Sequence, residues 1–364
     1  MPRWAENVAP EPRRTSTSAF RHILCAITIA SCWGLGVDME RRNFLALMGG
    51  TVVAAPWSAW AQQARAAKIG FLYPGPEAPA NERAETLREV LRANGWPDDR
   101  VEIVKRFADG DSSRAPALAK EFVDLKCDVI MAVSFLGVDA ARKATKDIPI
   151  VVFDLETDPV AAGIASNLAQ PTGNVTGVFF DFPDFSTKWM ELLKETLPHL
   201  SKVVVVVHPE SPSPQLKGVQ SAAQLLNVRI DQLEIHTVAD VDSALLTASR
   251  LAPDAVLLLS APAIGIGDNP KFIAQLTLKH RLPAITLFPD FARAGGLLAY
   301  GVDIPQSYRQ AAAMIVKVLN GVKPADLPIE RPVKFQLVVN RKTAKTLGIE
   351  LPTSVLLRAD EVIE

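Results

Sequence analysis

The side chains able to do chemistry in this chain gather just after apolar runs. Lys68–Tyr73 (KIGFLY) gives way to Tyr73, Pro74 and Gly75, and the run ending at Val133 opens onto Ser134, Phe135 and Leu136. The run through Phe153 is followed by Asp154, Glu156, Thr157 and Asp158. Later runs end at His208-Pro209, Ser260-Ala261-Pro262 and Phe288-Pro289-Asp290. Hydroxyls, carboxylates, an imidazole and aromatic rings in such places suit the capture of a small polar molecule. Ser134 has two readings. At the mouth of a helix, beside free backbone N–H groups, its hydroxyl would hold a ligand carboxylate with help from the helix dipole. Equally, it would cap the helix that follows. Asp154 and Asp158 could pair with a ligand ammonium, while Asp158, just before Pro159, also suits a turn or a cap. Tyr73, Phe135, Phe180, Phe288 and Tyr300 could form apolar or cation–π walls, with about half of them facing a ligand and the others in the core.

Signatures of catalysis are missing from the sequence. No G-x-G-x-x-G follows an apolar run, and neither G-x-x-x-x-G-K-[ST] nor G-x-S-x-G occurs. The five histidines, at 22, 199, 208, 236 and 280, show no metal-ligand spacing. Gly265-Ile266-Gly267 alone reads as a loop and not as a phosphate cradle.

These residues need elements to position them, and the chain supplies strands alternating with helices. The first series is strand Lys68–Tyr73, helix Glu82–Asn94, strand Val101–Phe107, helix Ala115–Leu125, strand Asp128–Val133, helix Val138–Lys146 and strand Pro149–Phe153. After a Gly/Pro break at Gln170–Gly177 (QPTGNVTG) the alternation restarts at helix Ser186–Leu197 and continues to the strand Ala284–Leu287. Such alternation predicts an α/β fold of two doubly wound, parallel-sheet lobes. Beyond them come GGLLAYG (295–301), a helix Gln306–Leu319 capped by Gly321, and a helix Arg341–Leu347 between Asn340 and Gly348 as its caps. A tail this long is expected to cross back to the first lobe and return.

The first 61 residues are set apart. Met39 begins MERRNFLALMGG, in which paired arginines precede a short apolar run and Ala59-Trp60-Ala61 offers a cleavage site. The pattern resembles a twin-arginine export signal, with Met39 as the true start, residues 1–38 as an extension and cleavage after Ala61. A rival reading takes Ile29-Ala30-Ser31-Cys32 as the approach to a lipid-modified Cys32. Without residues 1–61 the chain keeps 303 residues, 33 basic and 36 acidic, a net charge of −3. That is room for two domains, and it excludes the basic footprint of a nucleic-acid binder. Cys127 is then the one remaining cysteine, and its apolar neighbours read as core.

KIGFLYPG, IPIVVFDLETDPVAAGIASNLAQPTGNVTG, KHRLPAI, GGLLAYGVD and NRKTAKTLGIELPTSVLLRADEVIE resemble the substrate-binding proteins of ABC transporters, in the tryptophan/tyrosine-binding type family. The likeness covers essentially all of residues 66–364. It implies a type I periplasmic-binding-protein fold with three crossovers, residues 66–175 with 297–326 forming one lobe and 176–296 with 327–364 the other. A monomer in the periplasm would hold a small molecule in the interlobe cleft, without a cofactor, and pass it to an inner-membrane permease. The strand ends and aromatic residues above give the candidate ligand-binding set independently of the resemblance: Tyr73, Gly75, Ser134, Phe135, Asp154, Thr157, Asp158, Phe180, His208, Ser260, Phe288 and Tyr300. Two departures stand out: His208-Pro209 replaces the Trp-Asn-Pro typical of relatives, and Ser260-Ala261-Pro262 stands where relatives commonly carry an acid. An aromatic amino acid is therefore one candidate ligand, and an aromatic or other small carboxylate is another. A sensory ligand-binding protein without a transport role, or a hydrolase on the same scaffold, are the alternative functions.

Overall fold

The computed structural model describes residues 65–171, 173–180, 183–211 and 214–364, and the backbone alone of 183 and 184. The export signal, the start at Met39 and Cys32 lie outside the described residues.

The first lobe runs β1 (Ala67–Tyr73), α1 (Glu77–Ala93), β2 (Val101–Phe107), α2 (Ala115–Asp124), β3 (Val129–Val133), α3 (Ser134–Ala144), β4 (Ile150–Asp154) and β5 (Val175–Phe179). Its five strands form a sheet in the order β2-β1-β3-β4-β5, every pair parallel. β3 (VIMAV) and β4 (IVVFD) are buried along their whole length, as unbroken apolar runs must be when helices cover both faces of a sheet.

The second lobe continues with α4 (Pro183–Thr196), β6 (Lys202–Val207), α5 (Gln215–Leu225), β7 (Arg229–Glu234), α6 (Val241–Arg250) and β8 (Ala255–Leu258). Then come α7 (Pro262–Gly265), α8 (Asn269–Lys279), β9 (Ala284–Thr286), α9 (Pro289–Arg293) and β10 (Leu298–Val302). The chain next forms α10 (Ile304–Leu319), β11 (Phe335–Asn340), α11 (Arg341–Leu347), α12 (Thr353–Arg358) and β12 (Glu361–Ile363). The second sheet has the order β12-β11-β10-β9-β8-β6-β7 and is parallel except where β11 runs against β10.

Helix α10 returns to the first lobe. Asp303 caps it by accepting from the Gln306 N–H at 3.0 Å, and its buried Tyr308, Ala311, Ala312 and Ile315 pack on α1 and β4. Residues 327–330 then lie along β5: Glu330 N–H donates to Gly177 O at 2.9 Å and Phe179 N–H to Glu330 O at 3.0 Å. Three passages of the chain thus join the lobes, after β5, after β10 and before β11.

The lobe boundaries differ from those the sequence suggests. β5 belongs to the first sheet, β10 to the second, and residues 327–330 to the first lobe. The first two of these misplacements come from reading glycines as linkers. Gly177 sits within β5, where an added Cβ would lie 2.3 Å from Val152 O, and a Cβ added at Gly296 would lie 2.1 Å from Cε1 of the Phe291 ring. These glycines mark close packing inside a lobe. Asn340 and Gly348 do cap α11, Asn340 accepting from Thr343 N–H at 2.8 Å and Gly348 adopting φ +74°.

Candidate functional site

The carboxyl ends of β1, β3, β4 and β8 and the segment after β9 meet between the lobes around a cavity of about 60 Å³. The first lobe supplies Tyr73, Arg83, Ser134, Phe153, Glu156 and Tyr308, and the second supplies Ala261, Pro262, Gly265, Ile266 and Phe288. The space is small because the rims touch. Gly75 is so close to the second lobe that a Cβ on it would lie 2.1 Å from Ile266 Cγ2, and Gly265 is pressed equally by the Phe288 ring.

Ser134 begins α3 with φ +65°, a left-handed backbone that costs a non-glycine residue about 1–2 kcal/mol. Its Oγ is buried without a hydrogen-bond partner and does not cap the helix. The capping role weighed from sequence is thereby removed. Backbone strain and an unpartnered hydroxyl thus coincide at this one residue of the cavity wall.

Asp154 ends β4 and is fully buried; its Oδ1 accepts from the N–H groups of Glu156 (2.7 Å) and Thr157 (3.2 Å). Glu156 reaches across the cleft, where its Oε1 accepts from Ser260 Oγ at 2.7 Å. Beside it, Gln215 Nε2 donates to Leu155 O at 2.7 Å and Gln215 Oε1 accepts from Ser260 N–H at 3.1 Å. Burial, and then the Asp154 carboxylate alongside, hold Glu156 well above the usual carboxylate range. Burial raises Asp154 too, against the hydrogen bonds it accepts.

Phe135 meets His208 across the cleft edge-on, ring centres 5.5 Å apart, with His236 5.8 Å behind. Burial lowers the His208 pKa, and the nearby Glu210 opposes it. Asp158 is a turn former: its Oδ1 accepts from Val160 and Ala161 N–H at 2.9 and 3.0 Å, and neither it nor Thr157 lines the cavity. Phe180 and Tyr300 are also not on the cavity wall. Tyr300 stacks on Phe185 at 4.6 Å, Phe180 packs edge-on to Phe185 at 4.8 Å, and Trp189 Nε1 donates to Tyr300 O at 2.6 Å. With Phe335 they form an aromatic joint where the chain passes between lobes.

Sequence reading missed Arg83, Gln215, Ile266 and Tyr308. They lie within helices or in a loop, where spacing gives no sign of their role. The Arg83 guanidinium stands 5.5 Å from the Tyr308 ring centre, a cation–π distance. Among the described residues no His/Cys/Asp/Glu cluster suits a metal ion. Cys127 is buried, and desolvation pushes its thiol up to about 11, which leaves it unreactive.

Two α/β lobes, three passages and a cavity at their facing strand ends define a two-lobed solute-binding protein of the type I periplasmic-binding-protein fold. Residues 77–363 match the family model described as ABC transporter substrate binding protein, and the chain belongs to that family. It is 27% identical over 278 residues to a tyrosine-binding protein of Clostridioides difficile (strain R20291), covering 75% of this chain and 79% of the relative. A crystal structure from Streptococcus pneumoniae, of an ABC domain in complex with L-Trp, superposes with a TM-score of 0.74 at 25% identity, over 82% of this chain and 100% of that one. A conserved domain protein from Vibrio cholerae superposes with a TM-score of 0.75, also at 25% identity and with the same coverage. The family comprises solute-binding proteins that act outside the cytoplasm with ABC permeases, and it is not a family of enzymes. No described helix is long and apolar enough to cross a membrane.

Proposed function

We propose that the protein is the periplasmic receptor of an ABC importer, working as a monomer, and that it captures a small carboxylate, either an aromatic amino acid or an aromatic acid, between its lobes. The observation that carries the reading is Ser134, a strained residue whose buried hydroxyl lacks a partner at the wall of the interlobe cavity. Phe288, Ile266 and Pro262 opposite it suit an apolar body. Relatives that bind tyrosine and L-Trp support the same class of ligand. Entry requires the lobes to part by a hinge, since the cavity of about 60 Å³ admits no ring.

A thermal-shift screen of the mature protein against amino acids, aromatic acids, sugars and nucleosides tests this, because a ligand of the folded state raises the melting midpoint. Aromatic carboxylates should give the largest shifts. Silence across the whole panel, or shifts confined to sugars, would count against the reading.

A further inference from the structure

We propose that Glu156, backed by Asp154, is a cation subsite of the interlobe cavity, so that the solute is held by a protonated amine as well as by its carboxylate. Of the two ligands named above, this selects the aromatic amino acid over the aromatic acid. The proposal rests on the solute-receptor reading and narrows it.

Both carboxyls are fixed in place with one oxygen satisfied and the other left over. Asp154 is 0% exposed and Glu156 4%. Asp154 Oδ1 accepts from the N–H groups of Glu156 and Thr157 at 2.7 and 3.2 Å, and Glu156 Oε1 accepts from Ser260 Oγ at 2.7 Å. Asp154 Oδ2 and Glu156 Oε2 are buried and find no donor among the described residues. Glu156 lies on the cavity wall, and Asp154 stands behind it, bound to its backbone. A buried carboxylate oxygen without a donor costs free energy, which a donor brought by a ligand would return.

The kind of donor follows from charge. Among the described residues neither acid is in an ion pair. Arg83, the cation on the wall, lies over the Tyr308 ring instead, 5.5 Å from its centre. Asp290, the other acid on the wall, is paired with Arg293 at 3.0 Å. Burial raises both carboxyls, and the Asp154 charge raises Glu156 further, which favours a single negative charge on the pair. One ammonium balances that charge, and it carries three donors and no acceptor. A metal ion fits less well, because the described residues hold no group of three His, Cys, Asp or Glu able to ligate one. On the same wall Ser134 Oγ remains for the carboxylate, and Pro262, Ile266 and Phe288 for the ring.

The test is isothermal titration of the mature protein with three matched pairs: L-phenylalanine and 3-phenylpropionate, L-tyrosine and 3-(4-hydroxyphenyl)propionate, L-tryptophan and indole-3-propionate. Each acid is its partner without the amine. In the pair that binds best, the amino acid should bind at least about tenfold more tightly than the acid, the least that a charged hydrogen bond contributes. Glu156→Gln keeps an acceptor for Ser260 Oγ and loses the charge. It should weaken the amino acid by about tenfold to a hundredfold and leave the acid nearly unchanged. A smaller preference in the parent protein overturns the cation subsite and leaves the carboxylate receptor standing. A preference that survives in Glu156→Gln overturns the role of Glu156. The parent ranking decides the subsite even where the variant fails to fold. Silence toward all six probes with binding of a sugar or nucleoside overturns this inference and the aromatic ligand together, leaving a solute receptor; silence toward everything overturns the receptor reading as well.

Discussion

Glu156 of the first lobe and Ser260 of the second are joined across the cleft by a 2.7 Å hydrogen bond, with both residues buried. The bond exists only while the lobes are closed. Opening them returns Glu156 to water and withdraws the cause of its raised pKa.

Closure is therefore linked to protons. The closed form holds Glu156 above its open-form value, so its contribution is fully present below the ordinary glutamate pKa, about 4.3, and is lost as pH rises through the closed-form value. His208 acts in the opposite sense: burial lowers its pKa, so its contribution is present above about 6.5 and is lost as pH falls. Calorimetry in buffers of different ionisation enthalpy should show proton uptake on ligand binding at pH values above the ordinary glutamate pKa in His208→Gln, where the histidine is removed. Glu156→Gln in that background should abolish the uptake. Uptake that persists would place the proton elsewhere.

Gly75→Ala should act as a wedge. Its Cβ would stand 2.1 Å from Ile266 Cγ2 of the other lobe, while within its own lobe the nearest atom is Tyr73 Cε1 at 3.0 Å. Ligand affinity should fall by about tenfold or more, equivalent to roughly 1.4 kcal/mol, with a small change in melting midpoint without ligand. Small-angle scattering of the variant should report a larger radius of gyration than the closed parent.

Ser134 should trade stability against affinity. Ser134→Gly relieves the left-handed strain at the entropic cost of glycine, so the ligand-free protein should gain up to about 1 kcal/mol. Its carboxylate affinity should drop about fivefold or more with the lost hydroxyl. Denaturant melts and titrations on one preparation check both. A variant that binds as well as the parent would return Ser134 to a purely structural role.

Gly301→Ala should damage the second lobe directly. A Cβ there would lie 1.6 Å from Leu287 O, a backbone atom with no room to yield, and overpacking of this kind costs about 3 kcal/mol or more. Gly321→Ala is the control: φ is +93° with nothing within 4 Å, so only the backbone penalty of about 1 kcal/mol applies. Urea midpoints of the two variants should separate clearly.

The fold was legible because its signals are local. Unbroken apolar strands such as VVVVV, amphipathic helices between them, and the caps at Asn340 and Gly348 depend on neighbours in sequence. The strand-end rule likewise pointed to Tyr73, Ser134 and Phe288, which lie on the cavity wall, and to Thr157 and Asp158, which do not. Other features were hidden because they depend on distant partners. Phe180 and Tyr300 became part of an aromatic joint only through Phe185 and Phe335. Arg83 looks like any half-exposed helix cation until Tyr308, from a helix far along the chain, comes to lie beside it. No residue type announces a positive φ at a serine, so the strain at Ser134 was beyond reach as well.

The threefold passage between lobes also shapes how the molecule is made. When a ribosome has added Val302, every strand of the first sheet exists, yet α10 and residues 327–330, which cover that sheet, have not been synthesised. The second sheet at that moment lacks β11 and β12. Neither half can seal its greasy face until that later stretch of chain has been made, so apolar surface of both sheets stays uncovered through most of synthesis.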